Sequence, residues 1–168
     1  MLVPLFEGDG EARLILTKRP ETMPSHRGEV AFPGGKLEAE RDGSLRDAAL
    51  REAHEEIGLE PFEVEVLGSL PTYTTSTGFI VTPVVGLVQP QASLRPDPFE
   101  VAEVFEVPLA WLMNPANHQR HAFEFRGATR EFFSIPWQAS DASGAMRRYF
   151  IWGATAAMLR NLYRFLAA

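Results

Sequence analysis

Residues 51–60 read REAHEEIGLE, and this stretch places three carboxylates on one side of a short helix. At about 100° per residue, Glu52, Glu55 and Glu56 fall within an arc of roughly 100°. Like charges spaced in this way repel each other. Gly58 is a typical C-terminal cap, so the last two carboxylates also lie near the negative end of the helix dipole. The crowding predicts a cationic ligand that offsets the repulsion.

A divalent cation is the ligand that best fits these side chains. Hard ions such as Mg²⁺ take oxygen ligands and usually keep several waters. The alternative is a solvated acidic helix face, but such a face gains nothing from acids near the negative end of the dipole. Two glycines, Gly34 and Gly35, precede the helix and allow a tight turn and a close approach of the backbone to a ligand.

Composition limits the class of protein. With 168 residues, of which 45% are hydrophobic, the chain is expected to form one domain over residues 1–168. A net charge of -6 argues against a nucleic-acid polymer or an anionic membrane surface as the main partner. The absence of cysteine excludes disulfides and thiolate metal sites. No segment resembles a leader or a membrane span, so we expect a cytoplasmic protein.

The N-terminal half predicts strands around a long loop and one helix. Apolar runs on both sides of Gly8-Asp9-Gly10 predict a hairpin. Residues 18–35 are rich in proline and glycine and predict an ordered loop with a short strand at 30–32. Ser44 is expected to cap a helix at residues 45–57.

The remaining elements complete an α/β domain. In chain order they are strands at 62–74 and 79–88, a loop at 89–98, a strand at 101–107, a short helix begun by Pro108, a hairpin turning at Arg126-Gly127, and an amphipathic helix at 151–165. This order predicts a mixed sheet with helices packed on it.

Residues 51–59 resemble the signature of the Nudix hydrolases. That signature ends in Arg-Glu-apolar-x-Glu-Glu-x-Gly-apolar, and the chain matches it at every specified place. Its first half differs, because Gly35 and Arg51 are sixteen positions apart, two more than in the pattern. Arg41 stands where the pattern has an isolated Glu, with an acid on each side. We interpret this as a two-residue insertion in the loop.

The upstream segment LILTKRPETMPSHRGEVAFPGG, residues 14–35, is similar to the coenzyme A pyrophosphatase branch of the superfamily. Pro20 and Pro24 stand where that branch has Ser and Arg, so one basic contact is missing. The segments GFIVTPVVGLV, EVAEVFEVPLAWL and YFIWGATAAMLRNLY extend the resemblance along most of the chain.

The resemblance implies a fold and a chemistry. The implied fold is the Nudix fold, a mixed β-sheet between helices in an α/β/α arrangement. The implied reaction is hydrolysis of a diphosphate with Mg²⁺ or Mn²⁺, held by Glu52, Glu55, Glu56 and the carbonyl of Gly35. The same three glutamates are the expected catalytic residues, and which of them is the base stays open.

Four basic residues form a cluster close to the predicted site. They are Lys18, Arg19, His26 and Arg27. We expect them to meet substrate phosphate together with Gly34, the alternative being a solvated surface.

Three further residues are expected to assist. Arg51 is expected to point away from the glutamate arc and to fix a loop carboxylate by a bidentate pair, with substrate contact as the alternative. Glu100 and Glu103 precede an apolar strand. The resemblance makes them candidates for an additional carboxylate, and ordinary strand-edge charges are the alternative.

The expected substrate is a small nucleotide diphosphate. The resemblance favours coenzyme A, cut to 3′,5′-ADP and 4′-phosphopantetheine. Pro24 keeps open a Nudix pyrophosphatase that acts on ADP-ribose, a dinucleotide or a nucleoside triphosphate. A nucleotide-binding module without catalysis is a third alternative, against which the three crowded acids argue. The sequence does not indicate the oligomeric state.

Overall fold

The computed structural model describes residues Met1–Ala168. The chain divides into two compact units, Met1–Leu109 and Ala110–Ala168. The single domain expected over residues 1–168 stays a prediction, since two compact units can fold together or separately. No helix is both long enough and apolar enough to cross a bilayer.

The first unit is built on a six-stranded mixed sheet. The eight strands of the first unit, in chain order, are β1 (Leu2–Gly8), β2 (Glu11–Lys18), β3 (Val30–Ala31), β4 (Val64–Ser69), β5 (Tyr73–Thr74), β6 (Ile80–Val81), β7 (Val84–Val88) and β8 (Glu103–Pro108), and all but β5 and β6 belong to this sheet. Within the sheet, β2 pairs with β8 along one edge and with β1 and β3 along the other, and β7 and β4 follow beyond β1. β1 and β7 run parallel, and the other pairs are antiparallel. The predicted N-terminal hairpin and mixed α/β architecture are confirmed.

Two of the predicted strands are interrupted. Residues 62–74 divide into a 3-10 turn, β4 and β5, while residues 79–88 divide into β6 and β7. Pro71 and Pro83 lie at the two breaks. Proline has no N–H to donate to a strand ladder, and this interrupts both strands. β5 and β6 leave the main sheet and pair with each other. The prediction of two uninterrupted strands is therefore wrong.

Helix α1 (Leu45–Ile57) has the bounds that the sequence predicts. Ser44 is its N-cap, and its hydroxyl accepts a hydrogen bond from the Asp47 N–H at 3.1 Å. Gly58 ends the helix in the left-handed conformation, with φ 68°. The apolar face of α1 packs on the sheet in a core that includes Ala49, Leu50, Ala53, Ile57, Leu2, Ile15, Val84 and Val88.

A loop that is distant in the sequence, at residues 95–97, caps the C-terminal end of α1. The Arg95 N–H donates to the Ile57 carbonyl at 2.7 Å, and the Asp97 N–H donates to the Glu56 carbonyl at 2.9 Å. These bonds satisfy helix carbonyls that have no partner within the helix. They also hold residues 95–97, which precede Glu100 in the chain, beside the carboxylate-rich end of α1.

The second unit contains two hairpins and a helix. Its elements are β9 (Gln119–Phe125), β10 (Ala128–Ser134), β11 (Trp137–Ser140), β12 (Met146–Tyr149) and the helix α3 (Gly153–Leu166), preceded by the short helix α2 (Leu109–Leu112). The predicted hairpin at Arg126-Gly127 and the C-terminal helix are confirmed. Pro108 does not begin α2, because it is the last residue of β8.

The β11–β12 hairpin is an element that the sequence did not predict. Its turn is held by Asp141, whose carboxylate accepts hydrogen bonds from the N–H groups of Ser143 and Ala145 at 2.9 and 3.0 Å. The sequence Asp-Ala-Ser-Gly at 141–144 is a turn signal that could have identified it.

We expect Gly58→Ala to lower the free energy of unfolding by about 2 kcal/mol, because an L-residue is disfavoured in the left-handed conformation. The new Cβ would also lie 3.0 Å from the Arg95 carbonyl oxygen. Gly10→Ala is the matched control, since Gly10 has φ 77° and no neighbour within 4 Å of a new Cβ. Urea unfolding measures both variants, and equal losses would show that the contact with Arg95 contributes nothing.

Candidate active site

The centre of the candidate site is a pair of carboxylates one helical turn apart on α1. Glu56 is only 7% exposed, and its Oε2 accepts a hydrogen bond from the Gly34 N–H at 3.3 Å. A Cβ at Gly35 would overlap the Glu52 carboxylate, so the Gly35 backbone lies directly against this carboxylate and a larger residue would displace it. The Phe-Pro-Gly-Gly turn and the acidic end of α1 therefore meet, as the sequence predicts.

The two carboxylates are poorly compensated by the protein. Burial raises the pKa of Glu56 to about 7; the charges of Glu52 and Glu100 add to this rise, while the Gly34 N–H and Arg19 oppose it. Burial also raises the pKa of Glu52, against the hydrogen bond and charge of Arg51. Arg51 at Glu52, Arg19 at Glu56 and the Met1 amino group therefore offset the two carboxylates only in part.

Glu55 has a different environment from its two neighbours. It accepts hydrogen bonds from Arg41 Nη2 at 2.6 Å and from Arg51 Nη1 at 3.0 Å. Partial burial favours its protonated form, but the two arginines outweigh burial and lower its pKa. Its proposed part in metal binding and catalysis stays a prediction.

Arg51 makes a bidentate pair with a loop carboxylate. Its Nε and Nη2 lie 2.8 and 2.9 Å from the two oxygens of Asp42, whose side chain is 1% exposed. The hydrogen bond from Arg51 is the main reason why the pKa of Asp42 falls to about 2. Arg51 also donates to the Lys36 carbonyl at 3.1 Å, so one side chain connects α1 to two points of the preceding loop.

One expectation for Arg51 is wrong, because the side chain does not point away from the glutamates. Its Nη1 lies 3.0 Å from Glu52 Oε1 and 3.0 Å from Glu55 Oε2. The planar guanidinium has enough donors to hold Asp42 on one side and the glutamates on the other. Asp42 was not assigned a role from sequence because of the insertion. It stands one residue after the nominal position of the isolated Glu, which was the available signal.

The basic cluster is only partly directed at the site. Three of its members have partners within residues 18–29: Lys18 Nζ lies 4.0 Å from Glu21, His26 Nδ1 lies 2.9 Å from Glu29, and Arg27 Nε donates to the Met23 carbonyl at 2.9 Å. Arg19 differs, because its charge acts on Glu56 and its buried Nε has no hydrogen-bond partner.

The two additional carboxylates lie at different places. The charge of Glu100 acts on both Glu52 and Glu56 and raises their pKa values. Glu103 is the first residue of β8 and is in register with Lys18 of β2. Their roles stay predictions.

The donor set fits a divalent cation, although no group of three His, Cys, Asp or Glu side chains is arranged to hold a metal in this structure. Glu55 is held by Arg41 and Arg51, whereas Glu52 has Arg51 alone, and Glu52 and Glu56 are the pair whose pKa values are raised. Carboxylate oxygens are the ligands that Mg²⁺ and Mn²⁺ prefer.

Comparison with known proteins identifies the family. The family model of the NUDIX domain matches residues 1–127. The chain is 40% identical over 162 residues to the uncharacterized Nudix hydrolase NudL of Enterobacter sp. (strain 638), covering 96% of this chain and 79% of that protein. The chain belongs to the Nudix hydrolases. NudL of Salmonella paratyphi B is 41% identical to this Nudix hydrolase over 149 residues, 89% of this chain and 72% of the relative.

Solved structures show the same fold. A Caenorhabditis elegans Ap4A hydrolase complex covers 65% of this Nudix hydrolase and 78% of its own chain, with a TM-score of 0.55 and 16% identity. The Mycobacterium smegmatis Nudix hydrolase RenU covers 65% and 68%, with a TM-score of 0.54 and 23% identity. The predicted Nudix fold and the assignment to hydrolases of pyrophosphate bonds are confirmed.

Asp42→Asn should lower the melting temperature at pH 7 by several degrees, because Arg51 loses its bidentate anion. A carboxyl whose folded pKa is depressed stabilises the fold above its unfolded pKa of about 4. That stabilisation disappears as the pH falls toward the folded value of about 2. The difference in stability between wild type and variant should therefore shrink between pH 4 and pH 2.

Urea unfolding from pH 7 down to pH 2.5 checks this expectation. Asp9→Asn, in the exposed turn between β1 and β2, is the control for loss of one carboxylate. A difference between wild type and Asp42→Asn that stays constant with pH would contradict the assigned ion pair.

In chelator, Glu56→Gln should be more stable than wild type at high pH. A raised folded pKa means that wild type loses stability as the pH climbs from 4.5 through about 7. The glutamine removes that loss, which amounts to roughly 3 kcal/mol at pH 9. Added Mg²⁺ should raise the melting temperature of wild type and leave that of the variant almost unchanged.

Differential scanning fluorimetry with and without Mg²⁺ measures these shifts. Glu65→Gln, on the exposed side of β4, is the matched control. An equal Mg²⁺ shift in wild type and Glu56→Gln would remove Glu56 from the cation site.

Proposed function

We propose that this Nudix hydrolase cleaves the diphosphate of coenzyme A or its derivatives, giving 3′,5′-ADP and 4′-phosphopantetheine. The observation that carries the proposal is the arrangement at the end of α1. There the buried Glu56 and the half-buried Glu52, both with raised pKa values, meet the Gly34-Gly35 turn, and the charge of Arg19 acts on Glu56. This arrangement combines a cation-binding pair with a guanidinium for the substrate.

The residues of the chain have separate tasks in this proposal. Glu52, Glu56 and the Gly35 carbonyl would hold Mg²⁺ or Mn²⁺, and Glu55 belongs to the same set. A bound divalent ion neutralises charge on phosphoryl oxygens and lowers the pKa of water. Arg51 keeps Glu52 and Glu55 in position through its hydrogen bonds, and the Gly34 N–H orients Glu56.

Arg19 supports coenzyme A as the substrate. Coenzyme A carries an additional 3′-phosphate, and a guanidinium offers a planar fork of donors that suits phosphate. A buried Arg19 Nε without a partner is a donor that a phosphate oxygen can satisfy. Lys18, His26 and Arg27 add positive charge in the same loop, and the resemblance of residues 14–35 to the coenzyme A branch agrees with this assignment.

The expected partner is thus a small nucleotide derivative. The net charge of -6 does not favour a nucleic-acid polymer. The cytoplasmic location remains an expectation of the sequence. ADP-ribose and related nucleotides are the alternative substrates, since Pro24 removes one cation that the coenzyme A branch has.

We expect kcat/KM for coenzyme A to exceed that for 3′-dephospho-coenzyme A in wild type. Arg19→Ala should reduce this ratio toward one, since each charge-assisted contact contributes about 1.5–3 kcal/mol. Arg46→Ala, an exposed arginine on α1, is the matched control and should keep the ratio.

The products are identified by mass spectrometry, and ADP-ribose is included in the same panel. Equal kcat/KM for the two coenzyme A forms in wild type would reject recognition of the 3′-phosphate. A clear preference for ADP-ribose would establish the alternative substrate class.

A further inference from the structure

The β5–β6 hairpin is a separate, well-defined element of the first unit. The Thr75 N–H donates to the Phe79 carbonyl at 2.8 Å, and the Phe79 N–H donates to the Thr75 hydroxyl at 3.0 Å. The Gly78 N–H donates to the Thr75 carbonyl at 3.0 Å, and Gly78 has φ 87°. These bonds fix the turn and therefore the position of Phe79, which follows it.

The hairpin exposes two large apolar residues that are consecutive in the sequence. Phe79 is 54% exposed and Ile80 is 73% exposed. Their positions are fixed by the turn and by pairing of β5 with β6, so the exposure is not that of a loose segment. An aromatic ring that is open to solvent on a defined turn is suited to a flat ligand.

Lys36 connects this ring to the candidate active site. Its Nζ lies 5.2 Å from the centroid of the Phe79 ring, within the range of a cation–π contact. Lys36 directly follows Gly35, whose backbone packs on the Glu52 carboxylate. The Lys36 carbonyl accepts a hydrogen bond from Arg51 at 3.1 Å. The ring and the ammonium group thus lie beside the segment that adjoins the acidic pair.

We propose that Phe79 and Lys36 form a nucleotide subsite, in which the Phe79 ring stacks on the purine base and the Lys36 ammonium binds a phosphate of the same nucleotide. Aromatic side chains stack on any base because every base has a π-face. The nucleotide half of coenzyme A carries both a base and phosphates, which matches a ring and a cation side by side. This inference rests on the proposed function, since it places the nucleotide half of the substrate.

Binding of two small probes to the full chain in Mg²⁺ tests the subsite. The probes are 5′-AMP and ribose 5-phosphate, which differ only in the base, and calorimetry measures their affinities. Phe79→Ala should weaken 5′-AMP about tenfold and leave ribose 5-phosphate unchanged. Phe79→Tyr should restore the affinity for 5′-AMP. Lys36→Gln should weaken both probes, and Phe62→Ala, which removes a phenylalanine 76% exposed, should weaken neither.

Two outcomes would overturn the subsite. One is an unchanged affinity of Phe79→Ala for 5′-AMP. The other is an equal loss for both probes, which would show that the ring only supports the fold of the site.

Kinetics in the same variants separates this inference from the proposed function. If ADP-ribose is the preferred substrate, the coenzyme A assignment fails, yet Phe79→Ala still raises KM for ADP-ribose. If coenzyme A is preferred and Phe79→Ala leaves its KM unchanged, the subsite fails alone.

Discussion

The ion pair between Arg51 and Asp42 is the interaction on which the geometry of the candidate site depends. Both side chains are largely removed from solvent, and the bidentate geometry allows one orientation of the guanidinium. With two of its nitrogens held by Asp42, Arg51 directs the third to Glu52 and Glu55. A lysine would not reproduce this arrangement, because an ammonium group has no planar fork of donors.

Burial and neighbouring negative charge both disfavour ionised carboxylates at the acidic end of α1. The helix lies on the sheet because Ala53 and Ile57 pack in the core, and this packing also buries the neighbouring Glu56. The loop that caps the helix brings Glu100, whose negative charge increases the cost of ionising Glu52 and Glu56. The packing that stabilises the fold therefore also disfavours ionised carboxylates at this site, and a nearby positive charge would relieve that cost.

The groups proposed to bind the substrate come from different parts of the chain. Arg19 follows β2, Lys36 follows the Gly34-Gly35 turn, and Phe79 directly precedes the return strand of the β5–β6 hairpin. Loops and hairpins at strand ends are where binding residues usually lie, because a rigid sheet positions them while their sequences vary. In the proposed function they provide cationic and aromatic groups for a nucleotide diphosphate, beside the two glutamates proposed to bind the cation.

The sequence by itself determined the features that depend on near neighbours along the chain. Helix α1, its Ser44 and Gly58 caps and the arc of three glutamates follow from helical periodicity and capping, and the N-terminal hairpin follows from its turn. Only the tertiary structure decided that Asp42 is the partner of Arg51, that Arg51 also holds Glu52 and Glu55, and that Phe79 meets Lys36. The reason is that these contacts depend on how loops fold back onto a helix or a hairpin. The resulting burial and pairing, which local pattern does not encode, set the ionisation of each carboxylate.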